Sequence, residues 1–135
     1  MLRLSAVAAM ALCDAGTALL SGGSLALYSG TPLVDPDVPI TTELELVRFP
    51  LKSPAFLPAV MDVDTAAAPI DPPDPVIATA SGNASFFRFY DSVGTAVYEG
   101  TVSLTSGLGD MRLPTVAVVA GVSIAVTDYE MDMDK

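Results

Sequence analysis

The stretch from Ala84 to Val102 limits the possible folds more than any other, because it concentrates three of the five Phe and two of the four Tyr of the chain. Phe87 and Phe89 alternate with Phe86, Arg88 and Tyr90, the period of two that sends successive side chains to opposite faces of a strand. Asp91-Ser92-Val93-Gly94 reads as a type I turn followed by a glycine free to take positive φ, and a second arm follows at once. The spacing predicts a β-hairpin with a bulged three-residue connection, Phe89 facing Val97 and Arg88 facing Tyr98; a two-residue loop would shift every pair by one. No histidine or cysteine lies in the stretch, and its carboxylates are confined to the turn and to Glu99. It supplies packing surface.

The rest of the chain is read around that hairpin. Leu4, Val7, Ala8, Ala11, Leu12, Ala15 and Leu19 recur at helical spacing, predicting a helix over about 2–20. Opposite this stripe lie Leu2, Ala9, Cys13 and Leu20, with Arg3, Asp14 and Thr17 forming a narrow polar side. Such a helix would be covered on two sides, either wholly within its own domain or by the domain on one side and a neighbouring subunit on the other. Met1-Leu2-Arg3 before an apolar run also has the outline of a secretory signal, but one arginine and an early Asp14 fit that poorly, so the segment is expected to belong to the folded domain.

Gly22-Gly23 should end the helix, and Ser24 to Ser29 alternates as a strand. Thr31 to Pro39, with three prolines and two aspartates, is expected to be an exposed loop. Thr42 to Phe49 resumes alternation, with Leu44 and Leu46 opposed to Glu43 and Glu45. Ala55 to Leu57 and Ala59 to Val63 follow as short strands between prolines. Thr65 to Pro75 holds Ala66-Ala67-Ala68 and four prolines and is expected to be an extended, polyproline-like loop. Val76 to Ala80, Asp110 to Val119 interrupted by Pro114, and a last strand through Val122, Ile124 and Val126 complete roughly eight strands, leaving an acidic C-terminal tail from Asp128. The expected fold is a mainly β, single-domain β-sandwich or jelly roll over about 23–131 with an N-terminal α-helix.

Composition removes most chemistry. The chain has no histidine and one cysteine, so the commonest general base, an intrachain disulfide and a multi-thiolate zinc site are all excluded. Serine nucleophiles lack a base, with only Lys52 and the terminal Lys135 as lysine partners. Asp35/Asp37, Asp62/Asp64 and Asp128, Glu130, Asp132 and Asp134 raise Ca²⁺ binding, yet none has the glycine and downstream glutamate of a defined loop; they read as solvated acidic loops. Neither a catalytic residue, a metal nor a cofactor is expected. The net charge of −10, from 16 acidic and 6 scattered basic residues, argues against nucleic-acid binding. No apolar run is long enough for a membrane span. With 51% hydrophobic residues, surplus apolar surface is expected to meet partners.

Five pieces carry a resemblance. They are Asp14-Ala15-Gly16-Thr17-Ala18-Leu19-Leu20 at the helix end; the Gly-Gly-x-Leu-x-Leu-Tyr-x-Gly-Thr run from Gly22 to Thr31; Phe49 to Phe56 with Ser53-Pro54-Ala55-Phe56; Phe87-Arg88-Phe89-Tyr90-Asp91-Ser92-x-Gly94; and Ala120-Gly121 before the last strand. In order and spacing the chain resembles a group of small tailed-bacteriophage virion proteins, some of which act as capsid cement or decoration proteins. Thr65 to Pro75 and the tail from Asp128 have no counterpart in that pattern. The resemblance implies a virion protein on the outer surface of the capsid, with the major capsid protein and a second or third copy of itself as partners. A tail or neck component, or a carbohydrate-binding module using Phe86, Phe87, Phe89, Tyr90 and Tyr98 as a platform, are the alternatives. The expected interface residues are Leu2, Ala9, Cys13 and Leu20 from the helix and Phe86, Arg88 and Tyr90 from the hairpin.

Overall fold

The computed structural model describes residues 2–134 and is mainly β with one N-terminal helix, in a sandwich-like arrangement. Helix α1 spans Ala6–Ala18; it starts late because Ser5 caps it, its Oγ accepting the Ala8 amide at 3.1 Å, and it ends before Gly22, whose φ is 72°. Ala9, Cys13 and Thr17 are its buried residues, at i, i+4 and i+8. The face that meets the protein is therefore the one carrying Ala9 and Cys13, while Val7, Leu12 and Leu19 of the richer stripe point to water. Small side chains win that contact because they let the helix approach the sheet closely.

The main sheet has five strands in the order β2-β1-β7-β8-β9: β1 Ser24–Ser29, β2 Leu44–Pro50, β7 Phe86–Tyr90, β8 Ala96–Leu104 and β9 Met111–Leu113. Both arms of the expected hairpin are present as β7 and β8, and Gly94 takes the expected positive φ of 91°. The turn is locked by Asp91, whose Oδ1 accepts the amides of Val93 at 3.0 Å and Thr95 at 2.9 Å. The register differs by one residue over most of its length. Tyr90 faces Ala96 as the turn requires, but a bulge beside Phe89 then pairs Phe89 with Tyr98 and Arg88 with Glu99. That slip places the one cation of the strand directly opposite a carboxylate instead of an aromatic ring.

Three strands make a second sheet in the order β12-β4-β3: β3 Val60–Asp62, β4 Thr65–Pro69 and β12 Glu130–Asp134. Two expectations are corrected here. The alanine-rich start of the presumed loop at Thr65 to Pro75 is the central strand of this sheet, with Ala66 and Ala68 fully buried, and the presumed acidic tail is an edge strand pairing Met131 with Ala68 and Met133 with Ala66. Met131, Met133 and Met61 pack against the core cluster that includes Ala9 and Cys13 of α1, so the methionines that alternate with Asp132 and Asp134 turn toward the core. Four further short strands, β5 Val76–Ile77, β6 Gly82–Asn83, β10 Ala117–Val118 and β11 Ser123–Ile124, form two pairs, β10-β6 and β11-β5; the presumed last strand is only β11.

Between the two sheets lies an aromatic core in which Phe87, Phe89, Phe56 and Tyr129 contact one another at centroid distances of 5.4 to 6.2 Å. Gly23 is required where α1 passes into β1, because a Cβ there would overlap the carbonyl oxygen of Tyr90.

Candidate interaction surface

The outer face of the five-stranded sheet was expected to present Phe86, Arg88 and Tyr90, and it is covered instead. Residues 31–43 lack regular structure, as their prolines require, but fold back over the sheet so that Ile40 packs against Ala26, Tyr28, Phe86 and Tyr90. Arg88 fixes them there. Its Nε donates to Glu99 Oε1 at 2.6 Å, and its Nη2 donates to the carbonyls of Val38 at 2.6 Å and Asp35 at 3.1 Å. Both side chains are removed from water, Arg88 to 2% and Glu99 to 8% exposure. Tyr98, expected opposite Arg88, is on the other face, donating its hydroxyl to the Gly16 carbonyl at 2.9 Å. Arg48 makes a cation–π contact on the outer face, 4.4 Å above the ring of Tyr90.

Beside Arg88 lies a polar network. The hydroxyls of Tyr28 and Tyr90 are 2.5 Å apart, Tyr28 donates to Glu45 at 3.3 Å, and Arg48 donates to Glu45, to Ser24 Oγ and to the Tyr28 hydroxyl. Burial, then the bond to Tyr90 and the proximity of Glu45, push the Tyr28 hydroxyl well above its ordinary range. A phenol held protonated in this way is a structural donor and not a base.

The seven expected interface residues separate sharply. Leu2 is at the surface. Ala9, Cys13 and Leu20 are buried in the main core cluster, and Phe86, Arg88 and Tyr90 lie under the 31–43 loop, so these six side chains are buried within the folded chain itself. The expected carbohydrate platform dissolves for the same reason: Phe87 and Phe89 are in the core, Phe86 stacks on Tyr28 at 5.1 Å beneath the loop, and Tyr98 is tied to the helix. Cys13 donates its thiol to the Met131 carbonyl at 3.3 Å, and burial, with Asp14 nearby, pushes it up from its ordinary range.

The acidic residues are spread over turns and edges. Asp35 Oδ1 accepts the Asp37 amide at 2.8 Å, making a local turn, while Asp62, Asp132 and Asp134 sit on the face of the second sheet that points away from the helix. Burial raises the Asp132 carboxyl from its ordinary range, and Asp134 and Asp62 add to it. Among the described residues, no group of three or more His, Cys, Asp or Glu side chains is placed to hold a metal ion.

The accessible surface also carries apolar side chains. Among the described residues fifteen large hydrophobic side chains are exposed, and four of them, Val34, Val63, Val93 and Leu108, stand in loops at 84% to 94% exposure. Val63 links β3 to β4 in a two-residue turn with φ 55°, a left-handed conformation normally left to glycine. Leu108 crowns the 105–110 connection that returns the chain parallel to β8, where a Cβ on Gly107 or Gly109 would come within 2.7 Å of Ser103. The helix adds Val7, Leu12 and Leu19, exposed at 73%, 48% and 56%. No sequence signal marked the loop residues, since isolated apolar residues in polar turns have no period. No family model, curated protein or solved structure matches the chain.

Proposed function

We propose that this chain is a structural protein of a tailed-phage particle, bound to the outer surface of the head, where it braces contacts between major capsid protein subunits. The observation that carries the reading is the set of nearly fully exposed apolar side chains, Val34, Val63, Val93 and Leu108, standing in the loops of an acidic domain. An isolated monomer gains nothing from them, and pockets on a partner would. The net charge of −10 disfavours contact with packaged DNA and supports a position on the outer side of the shell. The motif resemblance from Asp14 to Gly121 supports the same setting.

Attachment on this reading is apolar first and electrostatic second. The test is co-sedimentation of the purified protein with particles that lack it, at low and high salt, together with the temperature at which those particles release DNA. Binding that raises the release temperature and survives moderate salt is expected. Leu108→Asp should weaken it at least tenfold, since that side chain is exposed and its replacement leaves the fold intact. Absence of co-sedimentation, or complete loss at moderate salt, refutes the reading.

A further inference from the structure

We infer that the outer edge of β12 takes up an extended segment of another protein as a further strand, one with Lys or Arg at every second position and apolar residues between. The order β12-β4-β3 leaves one side of β12 without a neighbouring strand among the described residues. The Tyr129 carbonyl accepts the Ile70 amide at 2.8 Å, and pairing continues with Met131 opposite Ala68 and Met133 opposite Ala66. Antiparallel pairing alternates, so these residues turn their backbone groups toward β4, and Glu130, Asp132 and Asp134 turn theirs outward, where no described strand meets them. An edge of this kind is a template for strand addition. The β2 edge of the main sheet is blunted instead, the Leu46 carbonyl accepting the Thr79 amide at 2.9 Å.

Space for the added strand lies along β12. Two adjoining cavities of about 220 and 280 Å³ share Tyr98, Met131 and Asp132; the first runs past Leu12 and Gly16 of α1, the second past Phe87 and Tyr129 toward Asp110. The two faces of the edge select the occupant. Residues set opposite Met131 and Met133 share their face and enter the cavity beside Leu12 and Tyr98, which suits apolar side chains. Residues set opposite Glu130, Asp132 and Asp134 meet carboxylates whose present neighbours across the ladder, Pro69, Ala67 and Thr65, supply no cation. Burial, then Asp134 and Asp62, raise the Asp132 carboxyl, as expected of an anion without a counter-charge. Asp110 adds a further acid on the far wall, its Oδ2 accepting the Thr101 amide at 2.9 Å. A second copy of β12 is the wrong occupant, since a two-fold pairing sets the three carboxylates against themselves.

A synthetic peptide alternating lysine and valine tests this independently of any capsid, with a peptide of the same composition in one lysine block and one valine block as control. Amide exchange followed by NMR should slow at least tenfold at Glu130, Asp132 and Asp134 when the alternating peptide is added at millimolar concentration, and less at Met131 and Met133, which already face β4. The block peptide should bind at least tenfold more weakly. Asp132→Pro removes one outward amide at an edge position where proline is tolerated, and Asp132→Lys keeps the amide but reverses the charge. Each should weaken binding at least tenfold with unchanged circular dichroism. No binding of the alternating peptide at millimolar concentration, equal binding of the block peptide, or protection confined to amides outside Glu130–Asp134 overturns the proposal.

Discussion

Removing the carboxylate of Glu99 should be among the most damaging single changes in this protein. In Glu99→Ala the Arg88 guanidinium, 2% exposed, keeps its two bonds to the Asp35 and Val38 carbonyls but loses its counter-charge. Breaking one side of a buried ion pair costs about 3–5 kcal/mol, because the surviving charge stays desolvated. A domain of this size is stable by about 7–20 kcal/mol at ordinary values per residue, so the loss is a large part of the total. With a urea dependence of about 2 kcal/mol per molar, the midpoint should fall by about 2 M. The double variant Arg88→Met/Glu99→Leu distinguishes the charge from the clamp. It removes both charges and should recover most of the stability, less about 1–2 kcal/mol for the lost bonds to the loop carbonyls. Amide exchange in residues 31–43 should nevertheless accelerate in the double variant. A cost below about 1 kcal/mol for Glu99→Ala is what a solvent-exposed pair would give, and it would refute the description of the loop as a cover.

Val63→Gly should stabilise the domain by up to about 1 kcal/mol, the relief of a left-handed β-branched residue less the extra freedom of glycine in the unfolded chain, and a lower melting temperature would contradict it. The same change should weaken particle binding if Val63 is one of the anchoring side chains. Tyr28 and Tyr129 are both raised by burial above the ordinary value of 10.0, so the folded state holds their protons more tightly than the unfolded one. Their contribution is complete below pH 10 and is lost as pH rises above it, so the melting temperature should fall on the alkaline side, and a flat profile there would refute their burial. Leu20→Asp should abolish folding by circular dichroism, since Leu20 is a fully buried core residue and not a contact with a partner; a folded variant would contradict its position.

The β-rich class, the helix and the hairpin were legible because each rests on a local rule: a period of two in Phe86 to Tyr90, a helical stripe, and the Asp-Ser-Val-Gly turn. The register was not, because a bulge at Phe89 depends on what Arg88 finds across the ladder, a tertiary fact. Ala66-Ala67-Ala68 has weak strand propensity and was hidden by the prolines after it; its value lies in how closely the helix can approach, which no window of sequence contains. The tail was readable in hindsight, since Glu130 to Asp134 alternates acid and methionine, but its net acidity outweighed the period. Ala9, Cys13 and Leu20, the interface residues expected on the side of the helix opposite the richer stripe, are the ones the domain buries for itself. Small residues rather than large ones marked the buried face.

Counting copies of the chain in purified particles by quantitative mass spectrometry tests the central claim most directly. A protein that braces the lattice of the head should be present in hundreds of copies per particle. A handful of copies would move it to the tail or neck, and its absence from purified particles would contradict a role in the virion.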